Sequence, residues 1–543
     1  MLGIKSPLSS HRLQTRPFSL SQLAAGAAFA TAMVAASLAH GQSPITTCDA
    51  SGIGSVTLFG DGPPVTILSA TPAITPAPAS VRYCLVKVLV PTAINIWVGL
   101  PDNWNGRWQS LGGGGYAGSV SAPTAAVNGG YAGAMTDTGH TGGDGSFGMT
   151  TTPPFGPNVP LQVDFAYRSE HLMAYLGKQL VKGYYGRPVV ASYWNGCSTG
   201  GRQGLRMAQD FPYDYDGILA GAPAIHWDRF QAGQIWYQTV MYQDNGAPVP
   251  TAKEQLATRA AVNACDALDG VVDGVLTDPR QCHYSAASDS SITRTSCASN
   301  DNTCLSPTEA SAIDKMWQGP VSCAGGSSGA CPVPDVATRD LSDDGNKRLW
   351  YGEMRGTDVS GLGGPTPFAI AVAQPRYWVY FDPSWDFRTL TYGNNLQFWR
   401  DTVAQVGPLM ASDNPNLATF RDHGGKVVMW HGFADQLIVP QGTIEYYDAV
   451  TQALGGGYAQ TQQFARLFMA PGVGHCGGGS GPQPQALFEA VVNWVEHGVA
   501  PDRILASKAV TGGTQTRPLC PYPALAHWTG AGSTDNAANF VCN

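Results

Sequence analysis

The sequence predicts an α/β fold, a sheet with helices about it, interrupted by one large disulfide-rich insertion. Three observations lead there. Residues 189–210 (VVASYWNGCSTGGRQGLRMAQD) open as an apolar and aromatic strand, pass through Gly196-Cys197-Ser198-Thr199-Gly200, and continue as a helix until Phe211-Pro212 stops it. A strand-and-helix rhythm returns over residues 425–497. Over residues 223–416 that rhythm is missing, and glycine, proline, cysteine pairs and scattered aromatics take its place over a length that no loop reaches.

The first of these stretches is a nucleophile elbow. Glycines two before and two after Ser198 let the chain turn sharply from strand to helix, holding the hydroxyl out of the sheet above the helix N-terminus. The pattern alone is weak, because 66 glycines in 543 residues give G-x-S-x-G by accident on the order of once. It does recur, at Gly325-Gly326-Ser327-Ser328-Gly329, between Cys323 and Cys331. With no strand before it and no helix after it, that copy reads as a disulfide-closed loop. Ser198 is therefore the expected nucleophile, on an α/β-hydrolase fold.

Taken from its start, the chain opens with a leader. Lys5, Arg12 and Arg16 precede an apolar run over residues 23–38 that ends in small residues near Ala39-His40-Gly41, so residues 1–41 read as a signal peptide and the mature chain begins near Gln42. A membrane anchor is the alternative, but the run is alanine-rich and shorter than the roughly 20 residues a span needs. No later stretch reads as a span, and the expected location is secreted or periplasmic. The net charge of −8 becomes −11 once the three basic and no acidic residues of the leader are removed. With no basic run, Walker loop or dinucleotide fingerprint, nucleic acid and nucleotide cofactors are not expected partners.

Residues 94–111 hold two apolar stretches around a Pro101-Asp102 turn and run into Gly112-Gly113-Gly114-Gly115. A glycine loop after a strand supplies one oxyanion N–H in this fold type, here from Gly114 or Gly115, and Thr199 supplies the other. The bland alternative is a flexible surface loop. His140 precedes the nucleophile, whereas this fold uses the order Ser, acid, His, so it reads as structural. A helix is expected over residues 164–183 and a strand over residues 217–222.

After the insertion, a buried strand ends in His431-Gly432-Phe433-Ala434-Asp435, which makes Asp435 the expected acid. The next strand delivers Gly474-His475-Cys476, and residues 487–497 read as an amphipathic closing helix. The 12 cysteines of an exported chain suggest six disulfides. Nearest-neighbour pairing joins Cys48 with Cys84, Cys265 with Cys282, Cys297 with Cys304, Cys323 with Cys331 and Cys520 with Cys542. Cys197 and Cys476 remain, and their pairing would tie the nucleophile to His475, the leading base.

Within the insertion, residues 266–278 (DALDGVVDGVLTD) carry carboxylates broken by glycines and enclosed by Cys265 and Cys282. A hard cation taking six to eight oxygens suits them. The spacing is not that of an EF-hand, so the ion would be structural calcium on Asp266, Asp269 and Asp273 with the carbonyls of Val271 and Val275. A solvated acidic turn is the other reading.

With these motifs in hand, the chain resembles the tannase and feruloyl esterase family of α/β-hydrolases, which includes mono(2-hydroxyethyl) terephthalate hydrolase. The stretches that carry the resemblance span the mature chain: WNGRWQSLGGGGYAG, TDTGHTG, DFAYRSEH, NGCSTGGRQGL, the DxxDGVxDG loop, HGFAD, PGVGHC and RPLCPYP. It implies a Cys-Ser, Asp, His-Cys arrangement at Cys197-Ser198, Asp435 and His475-Cys476, a calcium on the acidic loop, and a lid at residues 223–416 over an aromatic acid, between catalytic segments 42–222 and 417–543. The expected partner is a small aromatic ester, hydroxybenzoate or hydroxycinnamate first and a terephthalate monoester second. Residues 350–388 are dense in aromatic rings, and Arg355, Arg376 or Arg388 among them would pair with a free substrate carboxylate if one points inward. A binding protein on a hydrolase fold would need a broken triad, and a peptidase is disfavoured by the insertion. Substrate-binding residues and oligomeric state are not legible.

Overall fold

The computed structural model describes residues 44–54, 65–322 and 348–543. The leader, the second G-x-S-x-G copy at Ser327 and the Cys323/Cys331 pair lie outside the described residues.

Nine strands form the main sheet: β1 (Thr66–Ile74), β2 (Arg82–Val90), β3 (Ile94–Pro101), β4 (Arg107–Leu111), β5 (Ala132–Thr136), β6 (Ala191–Cys197), β7 (Gly217–Gly221), β8 (Lys426–Gly432) and β9 (Ala465–Ala470). Their order is β1-β2-β3-β5-β4-β6-β7-β8-β9. The first three strands and β5 pair antiparallel, and β5, β4, β6, β7, β8 and β9 pair parallel. Residue chemistry explains the split. β2 alternates between deeper and shallower positions, as a strand with one solvated face does, whereas all five positions of β7 are buried, as a parallel strand covered by helices requires. The two apolar stretches around Pro101 become β3 and β4, yet β5 lies between them in the sheet.

Helices cover both faces. The helix expected over residues 164–183 starts earlier, as Val159–Val163 followed by a wide turn at Asp164–Arg168, and continues as α1 (Ser169–Tyr185), ended by Gly186 in the left-handed region. α2 (Thr199–Asp210) follows the elbow. No strand of the nine-stranded sheet comes from between β7 and β8. The described residues there form α3 (Trp227–Val240), α4 (Thr251–Cys265), α5 (Pro307–Gln318) and α6 (Asn395–Met410). These pack through apolar clusters centred on Trp227, Trp350 and Trp378 and on Trp236, Ile313 and Met316. α5 starts on a capping box in which Ser306 and Glu309 exchange bonds, with Pro307 at the first helical position.

α7 (Gln441–Leu454) and α8 (Leu487–His497) complete the sheet's cover, and α8 has the bounds expected of the closing helix. Two small sheets flank it in the chain, one of Gln483–Pro484, just before it, with Ile504–Val510 and Gly513–Leu519, and one of Ala526–Trp528 with Phe540–Cys542. Five disulfides form among the described residues: Cys48–Cys84, Cys197–Cys476, Cys265–Cys282, Cys297–Cys304 and Cys520–Cys542. Each matches the expected pairing. Among the described residues no helix is long and apolar enough to cross a membrane.

Candidate active site

Ser198 sits between β6 and α2 with φ 63° and ψ −124°. A non-glycine residue there costs on the order of 1–3 kcal/mol, which its surroundings must impose. They do so by close packing. A Cβ on Gly196 would lie 2.5 Å from the carbonyl oxygen of Gly200, and one on Gly200 would lie 3.1 Å from the Cα of Gly112, so both flanking positions need glycine. The Ser198 N–H donates to the Gly221 carbonyl at 2.9 Å, and the Ser198 carbonyl accepts from Arg202 and Ala224.

Because β6, β7, β8 and β9 run parallel, the loops that leave their C-terminal ends lie at one edge of the sheet, where open α/β sheets hold their ligands. Ser198 leaves β6, Asp435 leaves β8 and His475 leaves β9. The His475 Nδ1 is 2.8 Å from Asp435 Oδ2, and the His475 N–H donates to Gln436 Oε1. The disulfide between Cys197 and Cys476 brings their Cα atoms to 6.0 Å and so ties the neighbour of Ser198 to the neighbour of His475. Asp435 is fully buried. Burial works to raise its carboxyl, but hydrogen bonds from His431 and His475 outweigh this and hold it well below the usual carboxylate range. Its other oxygen, Oδ1, accepts from the N–H groups of Leu437 and Ile438 at 2.8 and 2.9 Å.

The glycine loop is tied down rather than free. The Gly112 N–H donates to the Asn195 carbonyl at 3.0 Å, the Gly113 N–H donates to Gln203 Oε1 at 3.0 Å, and the Gly115 carbonyl accepts from Thr199 Oγ1 at 2.7 Å. The N–H groups of Gly114 and Gly115 have no acceptor among the described residues. Thr199 opens α2, where first-turn N–H groups lack helical partners. Those three N–H groups are thus available to an anion.

Three participants escape sequence reasoning. His431 donates to the same Asp435 oxygen as His475. Gln203 bridges Gly113 to Glu170, whose buried carboxyl is pushed up to about 7 by desolvation, with the Arg202 charge opposing. All sit inside the quoted motifs, but no spacing rule marks them. His140 faces the carbonyls of Tyr116 and Thr138 and stacks on Phe147, so its bonds are structural.

In the acidic loop, Asp269, Val271, Asp273 and Val275 line one small cavity of about 30 Å³. Asp266 is turned to the backbone, accepting from the Gly274 N–H at 3.0 Å, and Arg517 Nη2 meets Asp273 Oδ2 at 2.6 Å. Burial raises the Asp273 carboxyl, and Arg517 counters this. Four of the five expected ligand residues therefore border one cavity, but Arg517 lines it too and supplies a positive charge there, and both Asp269 oxygens already accept the N–H groups of Val271 and Thr277. Among the described residues Cys297, Asp301 and Cys304 also cluster at metal-ligand spacing. Those cysteines are joined in a disulfide, so they offer no thiolate.

Of the three arginines, Arg355 donates to the Tyr284 carbonyl and lies over Trp317. Arg376 and Arg388 line a cavity of about 550 Å³ together with Tyr377 and Ile370. Ile370 also faces the glycine loop, since a Cβ on Gly115 would meet its side chain at 3.0 Å. Trp350 and Trp378 are buried in the helical segment's core, so part of the aromatic density is packing.

A family profile described as tannase and feruloyl esterase matches residues 84–543. The chain belongs to that family. It is 35% identical over 459 residues to a probable feruloyl esterase of Arthroderma benhamiae, covering 83% of this chain and 82% of that one. It is 31% identical over 532 residues to mono(2-hydroxyethyl) terephthalate hydrolase of Piscinibacter sakaiensis, with 87% of each chain covered. Among solved structures, feruloyl esterase B of Aspergillus oryzae superposes with a TM-score of 0.75 at 26% identity, over 88% of this chain and 97% of that one. The tannin acyl hydrolase of Aspergillus niger shares the fold, with a TM-score of 0.74 at 22% identity over 92% and 96% of the two chains. Family membership makes the chain a carboxylic ester hydrolase on an α/β-hydrolase fold.

Proposed function

We propose that this carboxylic ester hydrolase cleaves esters of aromatic acids through an acyl-enzyme on Ser198. The observation that supports the reading is the Asp435–His475 hydrogen bond, together with the disulfide that joins Cys197 and Cys476, the immediate neighbours of Ser198 and His475. A neutral hydroxyl is a poor nucleophile without a base. His475 takes the Ser198 proton through Nε2 as the hydroxyl attacks the ester carbonyl, while Asp435 keeps the Nδ1 proton in place and stabilises the imidazolium. The N–H groups of Thr199 and of Gly114 or Gly115 receive the oxyanion. His475 then protonates the departing alcohol, and water, activated by the same imidazole, releases the acid.

In this reading residues 223–416 form a lid over the acyl group, inserted between catalytic segments 42–222 and 417–543. Asp266, Asp269 and Asp273 with the carbonyls of Val271 and Val275 would hold a calcium that would stiffen the lid and supply nothing to the chemistry. The five disulfides support export after removal of residues 1–41. Hydroxycinnamate or hydroxybenzoate esters rank first. A terephthalate monoester ranks second, favoured by the two arginines in the cavity beside Ile370.

The test is kcat/KM on methyl ferulate, methyl gallate, mono(2-hydroxyethyl) terephthalate and a short aliphatic ester, with Ser198→Ala as the control. An aromatic ester should lead and the variant should be inactive. Preference for the aliphatic ester rejects the aromatic acyl group, and activity in Ser198→Ala rejects the nucleophile.

A further inference from the structure

We propose that His431 is a positioning residue of this site, fixing the Asp435 carboxylate so that one lone pair of Oδ2 points at His475. The inference rests on the roles of Ser198, Asp435 and His475 given above. It adds a second histidine to the acid.

His431 lies near the end of β8 and has no exposed surface. Its Nε2 is 2.9 Å from Asp435 Oδ2 and 3.0 Å from the Ile438 carbonyl oxygen. Two acceptors around one nitrogen leave it a single role, that of a shared N–H donor. Its Nδ1 is 2.8 Å from Thr443 Oγ1 on α7. The two acceptors keep a proton on Nε2, and the Thr443 hydroxyl, which can adapt as donor or acceptor, pins Nδ1 and with it the orientation of the ring.

The consequence falls on Asp435. Oδ2 accepts from both His431 and His475, and Oδ1 accepts from Leu437 and Ile438. Four donors therefore hold one carboxylate whose side chain has no exposure. Turning the carboxylate to offer His475 another direction would break several of these bonds at once, in an interior where no water replaces them. His431 and His475 thus share the acceptor capacity of Oδ2 between them. A histidine that merely filled space would need only Thr443 and Ile438, both already within reach. The bond to Asp435 is the one that bears on the reaction.

The test compares His431→Leu, His431→Gln and Thr443→Val in the full chain, with p-nitrophenyl acetate as substrate and thermal melts as the folding control. Misdirecting a group of the reacting constellation costs about 10- to 100-fold, and His431→Leu should lose that much in kcat with KM little changed. His431→Gln, which can still donate to Oδ2, should recover most of the loss, and Thr443→Val should fall between them. Wild-type kcat in His431→Leu, a loss confined to KM, or no recovery with Gln would overturn the proposal. If His431→Leu does not fold, wild-type kcat in Thr443→Val, or Gln no more active than Thr443→Val, overturns it. Ser198→Ala in the same panel separates the two readings. Activity there overturns the site itself, whereas an inactive Ser198→Ala beside a fully active His431→Leu overturns only the role of His431.

Discussion

Cys197 and Cys476 form a disulfide 279 residues apart in sequence, and each is the immediate neighbour of a residue of the proposed reaction, Ser198 and His475. Loops leaving two different strands are thus held in one covalent unit. Opening the bond should lower kcat more than it raises KM. Its loss should cost roughly 2–4 kcal/mol of stability, as is typical of a native disulfide. Non-reducing peptide mapping should recover the Cys197–Cys476 peptide, and ester hydrolysis followed against added reductant should fall as that peptide disappears. Full activity with both thiols free would refute the role.

Gln203 links the elbow helix to the glycine loop, accepting from Gly113 and donating to buried Glu170. Gln203→Leu removes that anchor and leaves the Gly113 N–H without its acceptor. Loss of one oxyanion donor costs about 10²–10³ in kcat, and loosening the loop that carries the proposed donor should cost up to about 100-fold. KM should change little. Steady-state kinetics on a chromogenic ester decides it, and an unchanged kcat would mean that the loop holds its shape without Gln203.

Glu254 is buried with neither carboxylate oxygen hydrogen-bonded, and desolvation first, then the Asp358 charge, pushes it up to about 8 from 4.5. The folded state therefore binds this proton more tightly than the unfolded state. Its contribution to stability is complete below the unfolded value and is lost as pH rises through the folded one. The melting temperature should fall as pH rises from about 4.5 to about 8 and level off above, and Glu254→Gln should flatten that fall. Calorimetric scans of both proteins across this range measure it, and parallel curves would show that Glu254 does not titrate there.

Calcium bound to the native state alone should raise the melting temperature by mass action. A chelator should lower it and release calcium detectable by elemental analysis, and Asp269→Asn should abolish both responses. Ester hydrolysis well below the melting temperature should persist after chelation, because the acidic loop supplies no reacting group to the proposed mechanism, although its Val275 packs beside Gly472 on the loop that carries His475. No metal release and no thermal shift would leave the loop as a solvated turn.

Much of the catalytic frame is legible in the chain because its signals are local. A strand, two glycines and a Phe211-Pro212 stop define the elbow within residues 189–212, and amphipathic spacing gives α8 its observed ends. The chain order of Ser198, Asp435 and His475 carries the fold's logic, and elimination among cysteines reaches Cys197–Cys476 without any geometry. Other features have no local signal. That β5 separates β3 from β4 depends on which strands find one another across the sheet, and the small sheets around α8 pair short strands with mixed exposure. The convergence of His431 and His475 on one oxygen of Asp435, and of Gln203 on Gly113, joins residues up to 90 positions apart. Spacing specifies a strand, a turn or a helix because those conformations depend on near neighbours. Which side chain meets which carboxylate depends on how the finished sheet stacks its loops, and only the tertiary structure decided that.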